Sequence, residues 1–403
     1  MGPSLMSVTP RMNFPTRVEV LGPKAEVRPH VVVAIPVKDE EARVQACIAS
    51  LVNQVDIDFS RLAVVLLLNN CTDGTADQVR ALEEHLPFTL YLRHVELPAA
   101  YANAGWARRL GMEAAAELAT PDGVILTTDA DTLVEADWVA SNLREIADGA
   151  DAVAGYVMAD PVELMELPPE ILERGSLEWE YQQLVAEMVA RVDPEPHDPW
   201  PRHNQNCGAS AAITVNAYGL IGGLPPRPVG EDRALFEMVR HIDGKIRHSL
   251  DVQVVTSART DGRALGGLSD AIRLRGEPDH ACDEMLEVAM VAFRRALWRR
   301  RLRELWLAGG PEAILRSDWT EHLHISDLEL SRAAERPWFG EFWSAIEEVS
   351  PRLVRELVTG RELKRELRRM RRVVEAIRGG LQLSVPAEET IPVRARRAAV
   401  RAA

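Results

Sequence analysis

By the placement of its apolar residues the chain divides into a half of alternating strands and helices and a half that is helical. Val31-Val-Val-Ala-Ile35 is an unbroken apolar run rich in valine, the pattern of a strand covered on both faces. Pro36 ends it, and Asp39-Glu40-Glu41 predicts an acidic helix start. Val44, Cys47, Ile48, Leu51 and Val52 then recur at helical spacing and give one apolar face. Leu62–Leu68 reads as a second buried strand, closed by the turn Asn69-Asn-Cys-Thr-Asp-Gly74, with a helix from Thr75. A third strand is predicted at Thr89–Val95, an alanine-rich helix at Ala102–Leu118, and a fourth strand at Val124-Ile-Leu-Thr-Thr128. Further on, Glu170–Val192 has the pattern of an amphipathic helix and Asp193–His203 that of a loop. Gly230-Glu-Asp232 opens a helix through Val239, and Ile246–Thr256 is a strand. From about Asp279 the pattern is helical. Trp298, Trp306, Trp319, Trp338 and Trp343 fall on it and are expected in the core.

Strands alternating with helices at this pitch predict an α/β fold: a doubly wound, mostly parallel sheet flanked by helices, with a helical C-terminal region. The divisions expected are a loosely ordered arm over 1–29, a catalytic domain over 30–270, helices over 271–385 and a basic tail over 386–403. Ligands of such sheets bind at the carboxyl ends of the strands. Three strands here end in Pro36-Val-Lys-Asp-Glu40, Asn69-Asn-Cys-Thr-Asp73 and Asp129-Ala-Asp131, so polar groups gather at one edge.

Composition narrows the function. A net charge of −14 argues against a partner with a polyanionic backbone, so no nucleic acid is expected. The four cysteines, Cys47, Cys71, Cys207 and Cys282, have no metal-motif spacing and read as small buried thiols. No apolar run reaches the ~18–20 residues of a membrane-spanning helix, and a cytoplasmic location is expected. The basic stretch Arg361–Arg372 reads as a solvated face, with contact to anionic lipid at the membrane surface as the sharper alternative.

Two carboxylates at i and i+2 past a strand end, as in Asp129-Ala-Asp131, can serve one ligand from a tight turn. One can accept ribose hydroxyls while the other ligates Mg²⁺ or Mn²⁺ on a diphosphate. Asp232, at a helix start after Gly230, is either a charge complementing the helix dipole or a general base for an acceptor hydroxyl. Arg259 and Arg263 bracket an Asp-Gly turn and can clamp a diphosphate, or are plain surface charges. His203 and His248 are candidate metal or acceptor contacts, with a structural role the commoner case. Trp200 can stack on a sugar or pack under its loop.

Taken in order, these segments resemble family 2 glycosyltransferases. Val32-Val-Ala-Ile-Pro-Val-Lys-Asp-Glu40 is similar to the family's opening strand, and Asn69-Asn-Cys-Thr-Asp-Gly-Thr75 to its second turn. Asn103-Ala-Gly105 with Ala107-Arg108 and Gly111 is similar to its third motif. Asp129-Ala-Asp131 with Asp137-Trp138 resembles its metal triplet, and Gly208-Ala-Ser210 and Gly222-Gly223 before Glu231-Asp232 its acceptor-side segment. The resemblance implies a GT-A fold and inverting transfer from a nucleotide sugar, a UDP- or GDP-sugar, to an acceptor hydroxyl. It places Pro36, Asn70 and Arg108, with Glu40, at the nucleobase, Asp129 at the ribose, Asp131 at the metal and Asp232 as the base. Asn69 and Asn70 stand where many members carry Asp. The rival readings are a sugar-phosphate nucleotidyltransferase, whose glycine-rich loop after the first strand is missing, and a non-catalytic GT-A-like scaffold.

Overall fold

A computed structural model describes residues 12, 14–262, 267–283 and 285–380. The apolar runs Val31–Val37 (β2) and Leu62–Asn69 (β3) lie side by side in the middle of a sheet, with Thr89–Val95 (β4) and Val124–Thr127 (β5) parallel to them. Successive side chains on a strand point to opposite faces. Val31, Val33 and Ile35 therefore enter one core, with helices α1 (Val44–Val52), α2 (Thr75–Arg80) and α4 (Trp138–Ala147). Val32 and Ala34 enter the other, with α3 (Ala104–Leu118), α7 (Val215–Leu220) and α8 (Glu231–His241). Each valine or isoleucine so buried contributes about 1.5–3 kcal/mol relative to exposure.

Among the described residues nine strands form one sheet, in the order β1-β4-β3-β2-β5-β8-β7-β9-β6. The remaining strands are β1 (Thr16–Leu21), β6 (Thr132–Val134), β7 (Ala152–Ala159), β8 (Ala211–Thr214) and β9 (Ile246–Thr256). β8 runs antiparallel to both β5 and β7, and β9 is parallel to β7. The carboxyl ends of β2, β3, β4, β5, β7 and β9 therefore share one edge. β1 and β6, the outermost strands, run the other way.

Two expected divisions are corrected. The arm expected over 1–29 contains β1, paired with β4 from Thr16↔Val95 to Leu21↔Leu90. The boundary at 270/271 falls inside α9 (Leu268–Leu274). The tail over 386–403 lies outside the described residues.

The helical layer is built from α5 (Pro161–Met165), α6 (Pro169–Val192), α10 (Ala289–Leu315), α11 (Trp319–Leu323), α12 (Asp327–Ala334), α13 (Phe339–Val349) and α14 (Gly360–Arg378). Tyr181, Val185 and Met188 of α6 share a core with Ala289 and Phe293 of α10 and Leu367 and Met370 of α14. Trp298, Trp319 and Trp343 fill a second helical core, as their spacing predicts, whereas Trp338 is exposed.

Candidate active site

The Asp129-Ala-Asp131 triplet leaves the carboxyl end of β5 as a tight turn, with Thr132 N donating to the Asp129 carbonyl at 3.2 Å. The turn leads directly into β6. Ser257 N, just past β9, donates to the Asp131 carbonyl at 3.3 Å. Two neighbouring carboxylates are thereby held on one short stretch of backbone. Each is then taken by a different arginine.

Arg108 holds Asp129. Its Nη2 meets Asp129 Oδ1 at 2.7 Å, its Nε meets Glu231 Oε1 at 3.1 Å, and its Nη1 donates to Thr127 Oγ1 and the Gly208 carbonyl, both at 3.0 Å. Asn103 caps α3, the helix that carries Arg108, by accepting from Trp106 N. The guanidinium is buried, so its hydrogens are matched by acceptors rather than by water. Gly208 makes room for it: a Cβ there would lie 2.5 Å from Arg108 Cζ. Gly208 N in turn donates to Asp232 Oδ2 at 2.9 Å. Gly230, at φ 74, supplies the left-handed turn that starts α8 at Glu231. Arg108 thus links the triplet to Glu231-Asp232 across 123 residues of chain. Burial pushes the Glu231 carboxyl above its usual range, and Arg108 opposes that rise.

Arg259 holds Asp131, with Nη2 at 2.9 Å from Oδ2, and also forms an ion pair with Glu40. Burial, then the neighbouring Asp129, pushes the Asp131 carboxyl up to about 6, against the pull of Arg259. Asp39-Glu40-Glu41 was expected to open a helix, but α1 begins at Val44. The three acids instead bind neighbouring loops. Asp39 Oδ1 accepts from Thr72 N at 2.7 Å, Glu41 Oε2 accepts from Gly74 N at 3.0 Å, and Glu40 reaches Arg259. Asp39 takes φ 51, a left-handed conformation that Asp tolerates better than most residues.

The other candidates fall into place around these two arginines. Pro36 lies near the carboxyl end of β2, beyond the last β5 pairing at Ala34. The Asn70 amide is closed on the backbone of Leu97, donating to its carbonyl and accepting from its N–H, both at 3.0 Å. His203 is fully buried between the carbonyls of Ala154 and Ser249. His248 meets Asp198 Oδ2 at 2.7 Å. Burial lowers both rings, to about 3 and about 4, and both nitrogens of each ring are engaged within the chain, His203 also by Gln205 N and His248 also by Asn206 Oδ1. Asp198 also takes Arg202 and Arg247, which ties the Trp200 loop to the first half of β9. The four thiols are free, and burial raises all of them. Arg263 lies outside the described residues. A cavity of about 550 Å³ at the ends of β3 and β4 touches Cys71 but none of Glu40, Asp129, Asp131 and Asp232.

That Glu231, Thr127 and Gly208 all meet Arg108 escapes a reading of the sequence, because the partners lie apart in the chain. One signal was present. Arg108 lies one turn from Met112 on the stripe of α3 that faces the sheet, where an arginine requires acid partners.

Comparison with known proteins adds a family likeness over part of the chain. Residues 32–197 match the model for Glycosyl transferase family 2. No curated protein matches the chain. Among solved structures, the chain is similar to the mannosyltransferase PcManGT from Pyrobaculum calidifontis in complex with GDP-Man and Mn²⁺. The identity is 20%, over 90% of this chain and 89% of that one, with a TM-score of 0.43. It is also similar to residues 1–349 of S. aureus TarS in complex with UDP, at 15% identity over 87% and 91%, TM-score 0.42. Glucosyl-3-phosphoglycerate synthase from Mycobacterium tuberculosis, in complex with Mn²⁺, UDP-Glc and phosphoglyceric acid, matches at 17% identity over 63% and 82%, TM-score 0.37. Residues 32–197, which hold Glu40, Arg108 and the triplet but stop short of Asp232 and Arg259, are the part of the chain that resembles glycosyl transferase family 2.

Proposed function

We propose that the chain moves a sugar from a nucleoside diphosphate sugar, with a UDP- or GDP-sugar as donor, onto an acceptor hydroxyl, with inversion at the anomeric carbon and dependence on a divalent cation. One observation carries the reading: two adjacent carboxylates at the carboxyl edge, Asp129 and Asp131, are held by different arginines, and one of these arginines also reaches Glu231-Asp232. Asp129, oriented by Arg108, is assigned to the donor ribose. Pro36 and Asn70 border the nucleobase, Asn70 shaping that loop through Leu97. Arg108 and Glu40 support the neighbouring carboxylate and arginine from beneath. Arg259, already balanced between two acids, is assigned to the diphosphate.

A divalent ion is assigned to Asp131, whose carboxylate feels the negative charge of Asp129 and Glu40 and has Arg259 as its paired cation. Among the described residues no group of three or more His, Cys, Asp or Glu side chains is arranged to hold a metal. Asp131 would hold the ion together with the donor, as one or two carboxylates commonly hold Mg²⁺ on nucleotides. Once bound, it offsets the charge that grows on the leaving diphosphate.

Asp232 is assigned as the base. Its Oδ2 is aimed by Gly208 N and its Oδ1 accepts from Arg233 N at 2.8 Å. The carboxylate takes the hydroxyl proton as the acceptor oxygen bonds to the anomeric carbon, and the bond from that carbon to the diphosphate oxygen breaks on the opposite face. The experiment is a thermal-shift screen of nucleotide sugars with and without Mn²⁺, followed by NMR of the product anomer from the donor that binds. An inverted product supports the assignment, and a retained configuration removes Asp232 from the role of base.

A further inference from the structure

The residues above handle the donor and the proton but leave the body of the acceptor without a surface. Between Asp131 and Asp232 lies the carboxyl half of β7. On the Asp131 side, Asp160 N, just past β7, donates to the Thr256 carbonyl at 2.7 Å, and Ser257 N donates to the Asp131 carbonyl. On the Asp232 side, the Gln205 amide engages both backbone groups of Val157, at 2.8 and 3.2 Å, three residues before Gly208 reaches Asp232. Tyr156 precedes Val157 on that strand.

The Tyr156 hydroxyl accepts from Trp179 Nε1 at 2.7 Å, and its ring packs against His203 with centroids 5.5 Å apart. Trp179 projects from α6 and is 52% exposed. An indole is normally left exposed where its N–H needs water. Here the N–H is already bonded within the chain, and the ring is held in one orientation with its apolar surface open. Tyr156 Oη, having accepted a hydrogen bond, still has its own hydrogen to donate. The residues a turn away on α6, Ser176, Gln182 and Gln183, are polar, which suits a ligand with many hydroxyls better than an apolar protein partner.

We propose that Trp179, oriented by Tyr156, is the platform of an acceptor subsite that stacks the apolar face of a sugar or cyclic polyol ring, so that the hydroxyl transferred to belongs to a carbohydrate. This rests on the transferase reading above. A C–H-bearing ring face packs on indole while its rim hydroxyls meet amides and the tyrosine hydroxyl.

Saturation-transfer NMR on the full chain tests it, using the methyl glycosides of glucose, mannose and galactose together with myo-inositol, each with nucleoside diphosphate and Mn²⁺. At least one ligand is expected to show ring-proton saturation. Trp179→Ala should weaken its binding about tenfold, Trp179→Phe should weaken it less, and the thermal shift given by the nucleotide with Mn²⁺ should stay unchanged in both. Undiminished ring saturation in Trp179→Ala overturns the proposal. So does an absence of ring saturation from all four ligands on the wild-type chain, or a loss of nucleotide and ring binding together in the variant. A wild-type chain that binds ring but no nucleotide sinks the transferase reading instead and leaves the platform standing.

Discussion

Arginine meets carboxylate in two regions of this molecule, to opposite ends. At the sheet edge Arg108 and Arg259 are each shared between acids drawn from different elements. Between α6 and α14 the pairs form a regular ladder: Glu173–Lys364 and Glu180–Arg371 at 2.6 Å and Glu187–Arg378 at 2.5 Å. Both helices step by seven residues per rung, two helical turns, so the helices run parallel and present one row each. On the ladder no acid lacks a cation, Glu187 taking Arg191 as well as Arg378, and the first two rungs are open to water. At the edge acids outnumber arginines and water is largely excluded. Pairing there is strong, yet four acids share two arginines, and a ligand that brings a divalent cation finds a site poised for it. Burial and stoichiometry separate a site from a seam, although the chemical groups are the same.

The sharpest way to break the comparison is at the unshared end of the edge network. Asp232→Ala should lower turnover by about 10²–10⁴-fold, the range for losing a positioned general base, while donor affinity holds. Asp131→Ala should lose transfer together with Mn²⁺-dependent donor binding. Separate kcat and KM measurements distinguish the two. A variant of Asp232 with near wild-type kcat would leave its carboxylate a mere partner for Gly208.

Next in size is Arg108→Met, which fills a similar volume and leaves Asp129 and Glu231 without a partner. Breaking a buried pair from one side costs about 3–5 kcal/mol, measurable as a shift in urea midpoint. Gly208→Ala, by crowding Arg108, should reproduce part of that loss. A shift under 1 kcal/mol would mean that water reaches the two acids.

This arginine also marks where the sequence stops being legible. β2, β3, β4, β5 and β9 were readable because their apolar runs are buried on at least one face, and burial writes itself into residue type. β1 carries Val18 and Val20 exposed on an outermost strand, β6 is three residues long, and β7 and β8 are rich in alanine, so none has a clear β signature. In the site, adjacency in sequence gave Asp129-Ala-Asp131 and Glu231-Asp232. The pairing of Arg108 with Glu231 and of Arg259 with Glu40 spans 123 and 219 residues, and no local pattern encodes it. Trp179 was missed for a related reason, since an exposed tryptophan on an amphipathic helix looks like part of the core stripe until the helix is docked.

A smaller effect concerns pH. Asp131, raised to about 6 from the usual 3.8, is neutral below that point and then cannot ligate a cation. Mn²⁺-dependent nucleotide binding should therefore weaken about tenfold per pH unit below pH 6. The sign for stability is the reverse. The folded chain binds this proton more tightly than the unfolded chain, so between about 6 and 3.8 falling pH favours folding on account of this group. Calorimetric titration of nucleotide and Mn²⁺ at several pH values checks it, and affinity that is flat down to pH 5 would remove Asp131 as the ligand.

The smallest effect lies on the ladder. Arg371→Ala removes the middle rung, whose side chains are 49% and 37% exposed, and should cost about 0.2–1 kcal/mol at low salt. In 1 M NaCl, where the screening length falls to about 3 Å, the difference from wild type should shrink toward zero. The matching test at the edge is Arg108→Met in the same salt, where burial should leave its cost nearly unchanged. A salt-insensitive loss at Arg371 would mean that the aliphatic stem, packed along α6, does the stabilising rather than the charge. The seam would then resemble the edge in its exclusion of water, and charge stoichiometry alone would separate the two regions.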